Sequence, residues 1–183
     1  MNELDALQAS SLPIDWAVMQ AGWNRFLTTE QLQDYALAQI GYGPDSEFEG
    51  ASTLAFADDR DDWTISRCLE QLASDTPEAR RRAARVWQWA ALSMLIKDLE
   101  KGLAAGIEAG NTAENDYWLE SSVYDVWSDL REFWERPKFE SIRFPAAQNW
   151  EWPREIDTEW AKEVLTEHRR FLAQEEAELR QEA

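Results

Sequence analysis

Apolar residues recur every three or four positions along most of this 183-residue chain. That interval places side chains on one face of an α-helix, and a clear example is the series Ala83, Trp87, Ala90 and Met94. The Asn-Gly and Asp-Gly dipeptides that mark tight β-hairpins do not occur in the sequence. The pattern therefore predicts an all-α fold, with the whole chain forming a single-domain bundle of about six helices.

Prolines, glycines and helix-capping residues divide the helical pattern into segments. Helices are expected to begin near the following positions, most of which carry a proline or a capping residue: Leu12-Pro13, Thr28, Phe48, Asp61 or Asp62, Thr76-Pro77, Glu114 and Thr158. The first of these helices is expected to run as far as Phe26, and the second to open with a capping box of Thr28 and Gln31 and to stop at Gly41. The third is expected to extend to Ala57, and the helix from Glu114 to stop at Arg136-Pro137. The segment Gly102–Gly110 is expected to be a frayed end or a loop. Residues Lys138–Glu155 are expected to form one long irregular connection before the last helix, with a brief extended piece around 139–144. Residues 1–11 and 173–183 are candidates for fraying.

The charge of the chain is strongly unbalanced, because 36 acidic residues face 18 basic ones and give a formal net charge of −18. Nucleic acids and anionic membrane surfaces are bound mainly through Lys and Arg, so this charge argues against both as partners. A basic protein surface or a bound cation fits the negative field better. We therefore expect a protein partner, with no nucleic acid and no membrane, while the oligomeric state stays open.

Several features predict a cytoplasmic protein. The single cysteine, Cys68, cannot form a disulfide within the chain, which fits a reducing compartment. The segment Met1–Ser11 lacks the basic start and apolar core of a signal peptide. The longest apolar run, Trp87–Ile96, is too short to cross a bilayer.

Residue types that carry common catalytic and metal chemistry are scarce. With one His and one Cys, no usual zinc site can form, and the sequence has no Gly-rich phosphate loop. His168 falls on the apolar face of the last helix, four residues after Val164. Leu165 stands where a Glu-x-x-His metal site would need a glutamate. Packing is therefore favoured over catalysis for His168, and we expect no enzymatic activity and no cofactor.

The densest local charge is the acidic segment at residues 58–62. The three-residue spacing of its carboxylates would suit Mg²⁺ if a facing helix added further oxygen ligands. Aspartate is also favoured in turns and at helix N-caps, and this interpretation is preferred. In that case the exposed carboxylates become candidates for contacts with a protein partner: Asp58, Asp59, Asp61 and Asp62.

Two tryptophans, Trp150 and Trp152, lie in a polar segment bounded by prolines. They either fold onto the bundle as a lid or stand out as anchors in an interface. The lid is favoured, because exposed apolar surface is uncommon on monomers. Trp150 and Trp152 are nevertheless the remaining candidates for contacts with a partner.

The basic run Arg80-Arg81-Arg82 opens the long helix, where positive charge opposes the helix dipole. Neighbouring acidic residues, such as Asp75 and Glu78, would compensate this charge. A phosphate-binding site is the alternative, and it is disfavoured because the overall negative field repels anions.

Several short groups of residues follow one another in an order that resembles a known family. They are Gly22-Trp23-Asn24-Arg25-Phe26-Leu27, Tyr35-Ala36 after Thr28, Thr53-Leu54-Ala55, Arg85-Val86-Trp87, Val123-Tyr124 through Trp134, Arg136-Pro137-Lys138-Phe139, Phe144-Pro145 and Phe171-Leu172. From about Leu12 to Leu172, the chain resembles an uncharacterised family of small all-helical bacterial proteins, proposed to be immunity proteins of polymorphic toxin systems. The resemblance implies a protein that binds a toxin domain and blocks its active site. It supplies no functional residues.

These observations favour a cytoplasmic immunity or inhibitor protein that neutralises a cognate toxin domain through an acidic surface containing aromatic residues. Many such toxins are nucleases with basic clefts, which an acidic surface could occupy after electrostatically steered association. Two alternatives stay open. One is an Mg²⁺-dependent nucleotide hydrolase of the helical-bundle type, and the other is an acidic regulator or adaptor that mimics nucleic acid.

Overall fold

The computed structural model describes residues 2–41, 45–58, 60–112, 117–135 and 156–182. This part of the chain contains eight α-helices and no β-strand. Their bounds are α1 Glu3–Ala9, α2 Trp16–Gly22, α3 Thr29–Gln39, α4 Asp45–Ala55, α5 Asp62–Leu72, α6 Pro77–Thr112, α7 Tyr117–Glu135 and α8 Thr158–Gln181. The all-α prediction is confirmed, and the described ranges contain eight helices where about six were expected for the chain.

Several helices begin where the sequence supplies an acceptor for the first free backbone N–H groups. Thr28 Oγ1 accepts a hydrogen bond from Gln31 N at 3.2 Å, and Gln31 Oε1 accepts one from Thr28 N at 2.9 Å. This reciprocal pair is the predicted capping box of α3. Asp61 is the N-cap of α5, and Thr76 Oγ1 accepts from a backbone N–H in the first turn of α6. Gly41, with a φ of 91°, follows α3 at the predicted stop.

The N-terminal region is more ordered than the sequence pattern predicted. Residues 1–11 were candidates for fraying, but they contain α1, whose Leu4 and Leu7 are buried. Asn2 and Asp5 form a capping box that stabilises its start. The expectation of a frayed N-terminal end is therefore wrong for the described residues.

The helix expected to open at Leu12-Pro13 and to run as far as Phe26 is shorter than predicted. Asp15 caps α2, which begins at Trp16 and ends at Gly22. A tight turn follows, in which the backbone N–H groups of residues 25, 26 and 27 all donate to the Gly22 carbonyl. Asn24 takes a φ of 61° in this turn, a conformation that asparagine tolerates better than most residues.

Two further expectations are corrected. The segment Gly102–Gly110 is neither a frayed end nor a loop, because α6 continues through it to Thr112. Each glycine in a helix costs about 1 kcal/mol relative to alanine, but alanines alternate with these glycines and Leu103 is buried. At the other end of the chain, residues 173–183 were candidates for fraying. Instead, α8 extends to Gln181 and Leu179 is fully buried.

The long connection predicted for Lys138–Glu155, including the extended piece around 139–144, lies outside the described residues. The boundaries on either side of it agree with the prediction. Helix α7 ends at Glu135, directly before Arg136-Pro137, and α8 begins at Thr158. Proline lacks a backbone N–H group and restricts the residue before it, so it ends helices at this type of position.

The chain divides into two compact units. Unit 1 extends as far as Trp87 and includes Glu182, and unit 2 runs from Gln88 to Gln181. Within unit 1, α4 packs against both α3 and α5, and α5 also contacts α2. Within unit 2, α7 packs against α8. The prediction of one domain for residues 1–183 stays a prediction.

The core of unit 1 is built around Trp87. Its ring stacks on Phe26, with centroids 5.1 Å apart, and its Nε1 donates a hydrogen bond of 2.6 Å to the Val18 carbonyl.

None of the described helices combines the length and the hydropathy needed to cross a bilayer.

Candidate protein-binding site

The acidic turn, residues 58–62, joins α4 to α5. Asp58 Oδ1 accepts a hydrogen bond from Arg60 N at 3.0 Å, and the Asp58 carbonyl accepts one from Asp61 N at 2.9 Å. These bonds fold the connection back on itself, as aspartate side chains commonly do in turns. Asp58, Asp61 and Asp62 are all exposed, whereas the fourth predicted contact residue, Asp59, lies outside the described residues.

Asp61 combines a structural role with a stabilised negative charge. Its Oδ1 accepts from Thr64 N at 3.0 Å, and its Oδ2 accepts from Thr64 Oγ1 at 2.6 Å. The side-chain hydrogen bond first, and the backbone one second, hold the pKa of Asp61 below its usual value because both favour the ionised carboxylate. The N-cap interpretation of this residue is confirmed.

Two strongly exposed aromatic side chains, Phe56 and Trp63, flank the acidic turn and form the aromatic pair. Phe56 follows the end of α4 and is 76% exposed, and Trp63 lies in the first turn of α5 and is 68% exposed. Gly50 in the middle of α4 lies against Leu72 at the end of α5, and the six residues between Ala55 and Asp62 keep the end of α4 close to the start of α5. The aromatic pair and the acidic turn therefore lie at the same end of the α4–α5 hairpin.

The aromatic pair was not among the contact residues predicted from the sequence. Trp63 lies two positions before the buried Ile65, which is about 200° around a helix. The apolar face of α5 could therefore have indicated that Trp63 points away from the core. Phe56 offered no such signal, because the predicted helix extended beyond it to Ala57 while α4 ends at Ala55.

A groove of about 500 Å³ runs between α4 and α5 beside Trp63. It is lined by Glu49, Gly50 and Thr53 from α4, and by Trp63, Thr64, Arg67, Cys68, Gln71 and Leu72 from α5. The Arg67 guanidinium carbon lies 5.3 Å from the centroid of a Trp63 ring. This distance is within the range of about 6 Å over which a cation is attracted to an aromatic face.

The only cysteine, Cys68, lies deeper in this groove and is buried. Burial raises the pKa of its thiol, an effect that the nearby Arg67 charge partly offsets. The thiol is therefore protonated at neutral pH and contributes an apolar contact to the groove wall.

The other two predicted contact residues, Trp150 and Trp152, lie outside the described residues. The choice between a lid and an interface anchor therefore stays a prediction for both. Among the side chains that the structure does describe, no group of three or more His, Cys, Asp and Glu residues could hold a metal ion.

The arginines at the start of α6 are engaged by carboxylates. Within the described part of the chain, Arg80 contacts Asp75, Arg81 contacts Glu78 at 3.2 Å, and Arg82 contacts Asp15. The first two partners are those expected from the sequence. Because these charges are already compensated, they do not favour a phosphate-binding site at the start of α6.

His168 lies in the core of unit 2 and is only 1% exposed. Its Nε2 accepts a hydrogen bond from Trp134 Nε1 at 3.1 Å, so its Nδ1 carries the proton and donates to the Val164 carbonyl at 2.8 Å. Burial lowers the pKa of His168, although the bond to Val164 opposes this effect. A neutral ring with both nitrogens hydrogen-bonded agrees with the predicted packing role.

Most of this chain matches a known protein family. A family model described as an uncharacterized protein conserved in bacteria covers residues 4–176. Searches of curated proteins and of solved structures found no match. The predicted resemblance to an uncharacterised bacterial family is confirmed at this level, and the family's description does not mention toxins or immunity.

Proposed function

We propose that this chain, which belongs to the DUF2247 family of uncharacterized bacterial proteins, is an immunity or inhibitor protein that binds a toxin domain and neutralises it. The contact surface is the acidic turn together with the aromatic pair. Trp150 and Trp152 are additional contact candidates from the sequence. The partner is a protein domain with a basic surface, such as the substrate cleft of a toxin that acts on nucleic acid.

The position of the aromatic pair carries this proposal. Phe56 and Trp63 expose most of their surface directly beside three exposed carboxylates. Aromatic residues are enriched at the centres of protein interfaces and among the residues that dominate binding energy. Complete burial of a phenylalanine side chain contributes roughly 1.5–3 kcal/mol. Such an arrangement favours a site that becomes buried when a partner binds.

The charges around the aromatic pair indicate the kind of partner. Asp58, Asp61 and Asp62 present negative charge on one short turn, and the whole chain carries −18. A negative surface attracts a basic partner over several ångströms and accelerates the encounter. Occupation of a basic cleft by the acidic turn would then exclude a negatively charged substrate from it.

The proposal is tested by neutralisation of a toxin in living cells. The gene for this chain is isolated together with its neighbours from the native bacterium, and the C-terminal domain of a large toxin encoded among those neighbours, as the proposal requires, is expressed under an inducible promoter, with and without this chain. We expect the wild-type chain to restore growth. We expect Phe56→Ser/Trp63→Ser to lose most of this protection, because the double substitution removes the apolar contact and keeps the carboxylates.

A matched control is available in unit 2. Tyr124 is also a large exposed side chain, at 51%, and Tyr124→Ser should protect as well as wild type. Thermal unfolding of each purified variant verifies that the fold is intact, since exposed positions contribute little to stability. Failure of the wild-type chain to restore growth, or full protection by the double variant, would refute the proposal.

A further inference from the structure

We infer that Trp63 is the receptor for one arginine side chain of the partner protein. The partner's guanidinium stacks on the exposed face of the indole ring, and the carboxylates of the acidic turn neutralise its charge. This inference rests on the proposed function, because it assigns the chemistry that the partner brings to the same surface.

The ring of Trp63 already holds a guanidinium group from its own chain. Arg67, one helical turn later in α5, places its guanidinium carbon 5.3 Å from the ring centroid. Tryptophan is the aromatic side chain that attracts cations most strongly through its negative ring face. Trp63 nevertheless stays 68% exposed, so Arg67 leaves a large part of the ring accessible to a second cation.

Two exposed carboxylates that lie close to Trp63 in the chain complete the proposed receptor. Asp62 is exposed and precedes Trp63 directly in the chain, and Asp58 is exposed at the other end of the acidic turn. Asp61 is less available for a hydrogen bond from the partner's guanidinium, because Thr64 donates hydrogen bonds to both of its carboxylate oxygens. A guanidinium can lie flat on an aromatic ring while its N–H groups donate sideways to a carboxylate.

Arginine fits this receptor better than lysine does. Its planar, weakly hydrated guanidinium stacks on aromatic faces, whereas the lysine ammonium is a compact and strongly hydrated charge. The groove of about 500 Å³ beside Trp63 has room for the aliphatic stem, and the exposed Glu49 provides another carboxylate on its wall. The partner residue is therefore an arginine from a basic protein surface.

The inference is tested without knowledge of the natural partner. The full-length chain, labelled with ¹⁵N, is titrated in 150 mM NaCl with a short capped peptide that contains arginines separated by glycines. Tryptophan indole N–H signals are followed by NMR, and Trp63→Leu identifies the signal of Trp63. The matched control peptide carries citrulline, which has nearly the same shape as arginine but no charge.

We expect the arginine peptide to shift the Trp63 indole signal and the citrulline peptide to leave it unchanged. Trp63→Leu should weaken binding about two- to fivefold, which corresponds to an exposed cation–π contact. Tyr124→Leu, which leaves the charge unchanged as Trp63→Leu does, should bind the peptide like wild type, because Tyr124 is exposed in unit 2 and lies outside the proposed surface. Arg67→Gln should tighten binding, because it frees ring surface and removes a repelling charge.

Equal binding of the citrulline peptide, or unchanged affinity in Trp63→Leu, would overturn the inference. So would self-association of the chain that disappears in Trp63→Leu, because the occupant would then be a second copy of this protein. These outcomes are separate from those of the growth assay. A chain that protects cells but shows no arginine binding at Trp63 would refute this inference alone, and the reverse result would refute the proposed function alone.

Discussion

The packing of the unit 1 core requires glycine at position 22, because there is no room for a Cβ atom. A Cβ atom at this position would lie 2.2 Å from a ring carbon of Trp87. Stacking on Phe26 and the hydrogen bond to Val18 hold that ring in place. Overpacking of this kind costs about 1–3 kcal/mol or more. We therefore expect Gly22→Ala to lower the free energy of unfolding by about 2 kcal/mol, as measured by chemical denaturation.

Gly102 provides the control for this prediction. It lies within α6, and a Cβ atom there would have no neighbour within 4 Å. Gly102→Ala should raise the free energy of unfolding by about 0.5–1 kcal/mol, because alanine loses less conformational entropy in a helix than glycine does. Similar losses of stability at both positions would show that Trp87 is not the cause.

The buried His168 makes stability depend on pH. Its pKa in the folded protein lies below the usual value of about 6.5. As pH falls, the unfolded chain therefore takes up this proton before the folded protein does. The stability from burying the neutral ring is complete above about pH 6.5, and it is lost progressively as pH falls toward the folded-state pKa.

We expect the denaturation midpoint of the wild-type protein to fall more between pH 7 and pH 5 than that of His168→Gln. Glutamine can accept and donate hydrogen bonds but does not titrate, so the difference between the two pH profiles isolates the histidine. Carboxylates titrate in both proteins and cancel in this comparison. Identical pH profiles would contradict the prediction.

At the scale of single elements, the capping box fixes the start of α3. Thr28 and Gln31 satisfy each other's backbone N–H groups. Thr28→Ala removes the acceptor for Gln31 N and should destabilise the protein by about 1 kcal/mol. Thr28→Asn should retain most of the wild-type stability, since asparagine is a good N-cap. Thermal denaturation of the two variants distinguishes loss of the cap from loss of a threonine methyl group.

The element boundaries that the sequence predicted well are those set by local chemistry. Thr28, Asp61 and Thr76 each supply an oxygen to the first turn of a helix within three residues along the chain. Such contacts require no knowledge of the rest of the fold. For this reason the starts of α3, α5 and α6 could be predicted from sequence alone.

The boundaries that the sequence predicted poorly depend on contacts between distant residues. Leu4 and Leu7 are buried, and this burial stabilises α1 although the segment is short. Leu103 and Leu179 are buried in the segments predicted to fray. Glycine content and a thinning apolar pattern indicated weak helices there, and tertiary packing overrides those local preferences.

The candidate site likewise contains some residues that were predictable from the sequence and others that were not. The acidic turn was predictable, because its charge density and capping residues are visible in the sequence. The exposure of Phe56 could not be predicted without knowing that α4 ends at Ala55, because an aromatic residue inside a helix is usually part of the core. The exposure of Trp63 could have been inferred from the sequence, because Ile65, Cys68 and Leu69 form the buried face of α5 and Trp63 does not share their spacing.

At the scale of the whole molecule, net charge should control how fast a basic partner associates. We expect the association rate constant to fall steeply as salt is raised, because salt screens a long-range attraction. Asp58→Asn/Asp61→Asn/Asp62→Asn should associate more slowly than wild type at low salt, while its dissociation rate changes less. Asparagine at position 61 keeps the N-cap of α5, so a folding defect is not expected. Stopped-flow kinetics with the identified toxin domain measure both rates.

The most direct measurement is quantitative capture of partners from a lysate of the native bacterium. Three tagged baits are compared by mass spectrometry: the wild-type chain, Phe56→Ser/Trp63→Ser, and Tyr124→Ser. We expect one basic polypeptide to be retained by wild type and Tyr124→Ser and to be lost from the double variant. Equal recovery of that polypeptide by all three baits, or capture of an acidic protein in its place, would contradict a binding site at the acidic turn and the aromatic pair.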